Sequence, residues 1–277
     1  MPRSGDSRRA FLRRAAPLLL LLWFTACGPI TVSQEQRLGY DFEHAMRREL
    51  VFVHDPVVKE YVNHMGNEFV RASGPQPFEY HFYVVDDDEI NAFAGPAGHI
   101  YVHTETILKA RNASELAGVI AHEVGHVALR HVADNYNRQR NTQIGQDILV
   151  AGASILGGGA VGSVAQLGTG LAAMAYLNSF GREAEMEADA FAVKVLTEAG
   201  YDPNGLVTFF RTLTHEVQGT GQVPSFLSSH PATSDRIEST SAAIEALPST
   251  AGLRVNDGGK LEIIQRRIQL LTNRDGS

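Results

Sequence analysis

Apolar residues recur every three to four positions along residues 33–72, with one interruption at Asp55-Pro56. The spacing predicts a helix, a turn and a second helix opening on proline, whose missing N–H is harmless at the first helical position. Beyond the break at Gly74 to Pro77 the period changes. Glu79 to Val85 is dense in aromatic and β-branched residues, and Ile90 to Ala94 and His99 to His103 flank the turn Gly95-Pro96-Ala97-Gly98. These stretches predict three short strands in a small antiparallel sheet. Residues 114–131 then set Ala, Leu, Val and Ile around a few polar positions without a proline, and read as one buried helix with a polar start at Ser114.

Further on, residues 145–177 carry Asp147 as their one charge, and Gly157-Gly158-Gly159 splits them into two short apolar helices. Such helices can pack in a core through small residues or dip into a bilayer, and the modest hydropathy favours the core. Gly181 to Ala192 is a strong helix-forming run with Ala188, Phe191 and Ala192 on its packing side, and Leu261, Ile263, Ile264, Ile268 and Leu271 mark a final helix. The fold class is therefore α+β, rich in helix, with a small sheet immediately before the buried helix.

The chemistry lies on that buried helix. His122 and His126 are four apart, so on a helix they stand one above the other and can reach one ion. Neutral imidazole is a good zinc ligand, and Glu123 is placed to take a proton from a water held at the ion. Polar side chains on an apolar helix are costly to bury without such a partner. A third ligand is needed, and Glu185 and Asp189 share a face of the 181–192 helix. Glu185 can coordinate the metal while Asp189 holds a ligand imidazole from behind and fixes its tautomer. His44, His54 and His64 have no ligand-like spacing and read as surface or packing residues, while strand geometry sets His99 and His103 too far apart for one ion. Asp86-Asp87-Asp88 lacks calcium-loop spacing and reads as a solvated turn.

Residues 1–26 read as an export leader rather than part of the fold. Ser7 to Arg13 resembles a twin-arginine signal, Pro17 to Ala26 is a short apolar run, and Phe24-Thr25-Ala26-Cys27 resembles a lipobox. Cys27 is the chain's one cysteine, which excludes an intramolecular disulfide and fits a lipidated anchor on a membrane surface. The leader holds five arginines against Asp6, so the remainder is more acidic than the whole chain's −7, and nucleic acid is excluded as a partner.

Taken together, His122-Glu123-Val124-Gly125-His126 and Glu185-Met186-Glu187-Ala188-Asp189, about sixty residues apart, resemble the M48 family of gluzincin peptidases. So do the stretches Asp55 to Gly66, Ile90 to Ile107 and Ser228 to Ile237, and the chain is similar to the BepA-like and LoiP-like periplasmic lipoprotein members of that family. The resemblance implies a zincin-like catalytic domain over 27–277, with the 145–177 stretch as an apolar insert. It implies one zinc per chain bound by His122, His126 and Glu185, Glu123 as general base and later acid, and Asp189 behind the ligands. The metzincin pattern fails on spacing, because Leu129 and Val132 stand where it needs glycine and histidine, and His131 comes one residue early on the wrong face of a continuous helix.

In the same resemblance His230 can plug the zinc; a histidine near the metal can instead donate a hydrogen bond to the tetrahedral oxyanion, or be an ordinary loop histidine. Arg236 either positions carboxylates or binds the following helix. The function implied is a zinc metalloendopeptidase on the periplasmic side of the cell envelope, anchored to the outer membrane in preference to the inner. Its implied substrates are polypeptides, misfolded or misassembled envelope or outer-membrane proteins among them. The alternative left open is a chaperone-like assembly factor for the outer membrane whose zinc site is plugged and mostly silent.

Overall fold

The computed structural model describes residues 28–140 and 180–272, and its contacts divide the chain into two units. One unit joins Met1–Thr31 to Asn137–Val161; among its described residues, the Ile30 amide donates to the Asn137 side-chain oxygen at 3.1 Å. The other joins Val32–Tyr136 to Gly162–Ser277 and contains everything that follows. The leader expected over 1–26, the Cys27 anchor and the apolar stretch 145–177 lie outside the described residues.

Helix α1 spans Val32–Glu49 and α2 spans Pro56–Ala72. Asp55 caps α2, its carboxylate accepting from the Val57 and Val58 amides at 3.0 and 3.1 Å. Val58, Val62, Met65 and Phe69 then recur at helical spacing, are buried, and turn that face toward the sheet and the central helix.

Strands β1 (His81–Val85), β2 (Ala92–Ala94) and β3 (His99–His103) form one sheet in the order β1-β3-β2. It is mixed, which corrects the expectation of an antiparallel sheet. β2 and β3 pair antiparallel with Phe93 opposite Tyr101, whereas β1 runs parallel to β3 with Tyr83 beside Tyr101. The cause is the 86–91 connection, which carries the chain to the far edge before the tight turn returns β3 into the middle. Asp87 fastens this crossing: its N–H donates to Thr104 Oγ1 at 3.1 Å and its carbonyl accepts from the same hydroxyl at 2.9 Å.

After the short α3 (Thr104–Lys109) comes α4 (Ala113–Ala128), in which every residue from Ala113 to Val127 is buried. Its cap is Asn112, not the polar start expected at Ser114, and the Asn112 side chain accepts from the Glu115 amide at 3.0 Å. Around α4 pack α2, α5 (Arg182–Glu198), α6 (Asn204–Thr220) and β2. The backbones approach closely where side chains are missing. A Cβ on Gly118 would fall 2.7 Å from the Leu206 backbone, and one on Gly205 would fall 2.1 Å from the Ser114 carbonyl oxygen.

The helix expected over 114–131 is broken before its end. Leu129 caps α4 and Arg130 takes φ 60, the left-handed region, which stops the α-helical ladder. Arg130 is held there by an ion pair at 2.8 Å to Glu35, whose side chain is buried. The unit is completed by α7 (Ser225–Ser229), α8 (Ser234–Glu245) and α9 (Lys260–Thr272). On α9, Leu261, Ile264 and Ile268 are buried while Ile263 and Leu271 of the expected apolar set are exposed. Among the described residues, no helix is long and apolar enough to cross a membrane.

Candidate metal centre

Three helices and one loop converge at a closed site. From α4 come His122, Glu123 and His126, each 0% exposed, and from the first two turns of α5 come Glu185 and Asp189, each 2% exposed. The residue that ends α7, His230, is also fully buried. Thr233 then caps α8 by accepting from the Arg236 amide, and the first turn of that helix buries the Arg236 side chain.

Distances among the donor atoms decide what the site can hold. His122 Nε2 and His126 Nε2 are 3.0 Å apart, and Glu185 Oε2 and Oε1 lie 3.5 Å from the first and the second. Ligands bonded to zinc at about 2.0 to 2.1 Å in a tetrahedron stand about 3.3 Å from one another. With one donor atom from each of His122, His126, Glu185 and His230 the cluster lies within 4.8 Å, close enough to hold a metal ion, the two 3.5 Å approaches of Glu185 running through different oxygens. His230 Nδ1 supplies a fourth corner, 3.3 Å from His122 Nε2 and 2.9 Å from Glu185 Oε1. Its other nitrogen, Nε2, stands 3.6 Å from Glu123 Oε1.

A buried cation backs this cluster. Arg236 donates through Nε and Nη2 to the two oxygens of Asp189, both at 2.8 Å, and its Nη1 lies 2.7 Å from Glu185 Oε2. Asp189 in turn places Oδ1 at 2.9 Å from His122 Nδ1, on the side of the ring away from the donor cluster. The guanidinium fork thus fixes two carboxylates at once, Glu185 beside the donor cluster and Asp189 beside the His122 ring.

The electrostatics follow from burial opposed by partners. Burial alone would raise Glu185, but the imidazoles of His230, His122 and His126 hold it far below the usual carboxylate range. Asp189 is likewise lowered, burial being outweighed by Arg236 and His122. Burial would lower His122, yet Asp189 and Glu185 raise it; His126 has weaker opposition and falls well below its ordinary value. Glu123 goes the other way: desolvation pushes it up to about 8. Neither of its oxygens meets a partner in hydrogen-bonding geometry, although the Ala94 amide of β2 offsets a little of that rise. A buried carboxyl left unpaired in this way is a costly arrangement.

Three further residues flank the His126 ring, and none is assigned a role by the sequence pattern, although Glu187 lies within the 185–189 motif. Phe180 stacks on the His126 ring with centroids 3.9 Å apart, and His131 and Glu187 line up behind the same ring. Reading α4 as continuous through 131 hid His131. By contrast His44, His54 and His64 are exposed, and His99 stacks on His81 within the sheet.

A buried helix carrying two histidines four apart and an adjacent glutamate, faced by a carboxylate from a second helix beside a small sheet, defines a gluzincin-like metallopeptidase domain. The chain belongs to peptidase family M48, whose profile matches residues 56–244. It is 30% identical to the beta-barrel assembly-enhancing protease of Yersinia pestis, over 85% of this chain and 49% of that protein. It is 34% identical to the metalloprotease LoiP of Escherichia coli (strain K12), over 66% of this chain and 70% of that protein. It is also 28% identical to the mitochondrial metalloendopeptidase OMA1 of Schizosaccharomyces pombe, over 78% of this chain. The chain spans about half the length of the beta-barrel assembly-enhancing proteases it matches.

Proposed function

We propose that this chain is a zinc-dependent metalloendopeptidase of a bacterial cell envelope, with His230 closing its resting state. The observation that carries the reading is the spacing of the His122, His126 and Glu185 donor atoms, 3.0 to 3.5 Å in a fully buried pocket beside Glu123. Those three residues hold the ion. When bound, zinc supplies a Lewis acid that polarises a peptide carbonyl and acidifies water.

The protein's own groups do the rest. Glu123 takes the proton of the attacking water and passes it to the leaving amine, and a carboxyl lifted to about 8 is suited to both halves of that transfer near neutral pH. Asp189 keeps His122 in one orientation, and Arg236 holds Asp189 and Glu185 in place. β2 lies at an edge of the sheet with the Ala94 amide near Glu123, but all three of its residues are buried and the Phe226 amide of α7 donates to the Ile90 carbonyl oxygen beside it. An extended peptide can add there as a further strand once the α7 segment moves aside.

The substrates are polypeptides, misfolded or misassembled envelope proteins among them, a reading that rests on the family resemblance; the name of one relative, beta-barrel assembly-enhancing protease, supports a link to beta-barrel assembly. Lipidated Cys27, following a cleaved leader, anchors the chain at the periplasmic face, on the outer membrane. A second reading, an assembly factor with a silent site, is favoured by one observation: His230 Nδ1 takes the fourth corner that a water would need. Cleavage of unfolded casein by the zinc-loaded chain separates the two. Cleavage abolished by Glu123→Gln supports the peptidase, and none by the wild type or by His230→Ala supports the assembly role.

A further inference from the structure

His122 and His126 are supported differently from behind. His122 Nδ1 faces a carboxylate of α5, Asp189, at 2.9 Å. His126 Nδ1 faces another imidazole nitrogen, His131 Nδ1, at 3.0 Å, and His131 Nε2 lies 3.0 Å from Glu187 Oε2. The proton positions along this second line are constrained by chemistry. A His126 that offers its Nε2 lone pair to a metal must carry its proton on Nδ1. That N–H then donates to His131 Nδ1, which must be bare, so the His131 proton sits on Nε2 and points at Glu187. Each group has one role, and the chain ends on a carboxylate that accepts.

The backbone is bent to make this contact. On an uninterrupted helix, five residues would turn His131 about 140° away from His126. The break at Arg130, with φ 60 in a residue that carries a Cβ, brings the rings to a centroid separation of 5.1 Å instead. Such a conformation persists only where the surroundings enforce it, and here the Glu35 ion pair does so. Phe180 covers the other face of the His126 ring, and His131 is 5% exposed.

We infer that His131 and Glu187 are positioning residues that fix His126 in its Nδ1-protonated form, so that its Nε2 is presented to the metal already oriented. This rests on the zinc reading above. The set is the counterpart of Asp189 and Arg236 behind His122, and it places three carboxylates of one helix, Glu185, Glu187 and Asp189, around the centre in three different roles.

The test is zinc affinity, by competition with a chromophoric chelator, together with the ring-nitrogen NMR signals of His126 in the zinc-loaded chain. His131→Ala removes the acceptor and should weaken zinc binding by roughly 10- to 100-fold, with the His126 Nδ1 proton exchanging faster with water. His131→Asn puts an amide oxygen where Nδ1 was and should recover most of that loss. Glu187→Ala leaves the His131 ring in place and should give a smaller loss in the same direction, and it carries the test if His131→Ala fails to fold. Unchanged affinity and an unchanged His126 signal in His131→Ala would overturn the inference, as would Asn failing as badly as Ala. If these variants match a wild type that binds one zinc, the relay alone falls. A wild type that takes up no zinc overturns the relay and the metal centre together.

Discussion

His230 Nε2 stands 3.6 Å from Glu123 Oε1, and neither residue is exposed to solvent. The imidazole lies between the donor cluster and Glu123, where on the proposed reading water and a peptide carbonyl would enter. His230→Ala clears that space and keeps the His122, His126 and Glu185 side chains, at the loss of the 2.9 Å contact to Glu185 Oε1. If the open form is populated about a tenth of the time in the wild type, clearing it raises turnover about tenfold. Cleavage of unfolded casein at equal zinc content checks this; a fall to background would show that the ring assists the reaction instead of blocking it.

Removing the carboxylate of Glu123 should separate chemistry from binding. Glu123→Gln keeps the volume and the helix, so zinc content should stay at the wild-type level while cleavage falls by about 10²- to 10⁴-fold, the usual contribution of a positioned general base. Loss of zinc along with activity would instead place Glu123 among the groups that hold the ion. The pair of measurements is metal content by mass spectrometry and casein hydrolysis on the same preparation.

Arg236 is 1% exposed and neutralises two carboxylates that are themselves almost fully buried. Arg236→Met leaves Glu185 and Asp189 without their counter-charge, and stability should fall by about 3 to 5 kcal/mol in urea unfolding of the metal-free chain. Arg236→Lys restores the charge without the planar fork and should fall between the two. An Arg236→Met variant as stable as wild type would mean that the imidazoles alone compensate the pair.

Glu123 contributes one component of the pH response of the metal-free chain, opposed below about pH 6.5 by the buried histidines His126, His131, His99 and His103, whose pKa values burial lowers. Its folded pKa of about 8 lies above the ordinary 4.5, so the native state keeps a proton that the unfolded chain has released. Between about pH 5 and 8 this group lowers stability as pH rises, by about 1.4 kcal/mol per unit. Glu185 and Asp189 are depressed, so their contribution is present above the ordinary carboxylate range and is lost as pH falls through their folded values. His122, raised, adds a slope of the same sign as Glu123. Relative to the wild type, denaturation of Glu123→Gln across that range should shift the slope toward rising stability with pH by one proton's worth; an unaltered slope contradicts the burial argument.

The helices that carry the centre were legible because their signals are local. Two histidines four apart in an apolar run, and Glu185 and Asp189 four apart with Ala188 and Ala192 behind them, give faces that any α-helix would present. The parallel pairing of β1 with β3 was not legible, since it depends on where the 86–91 crossing lands and not on strand composition. Nor was the position of His131. Arginine gives no sign of a left-handed residue as glycine or asparagine would, and what holds Arg130 there is Glu35, 95 residues away. Arg236 was legible as a residue of the resembling stretch, but its grip on both Asp189 and Glu185 emerges only once α5 and α8 are packed together.

The most direct measurement is the zinc content of the purified, chelator-washed chain beside its Glu185→Ala and His126→Ala variants, with folding of each checked by circular dichroism. A centre built by two histidines of one helix and a glutamate of another predicts one zinc per chain in the wild type and a loss of tight binding in both variants. Folded variants that keep stoichiometric zinc, or a folded wild type that holds none, would contradict it.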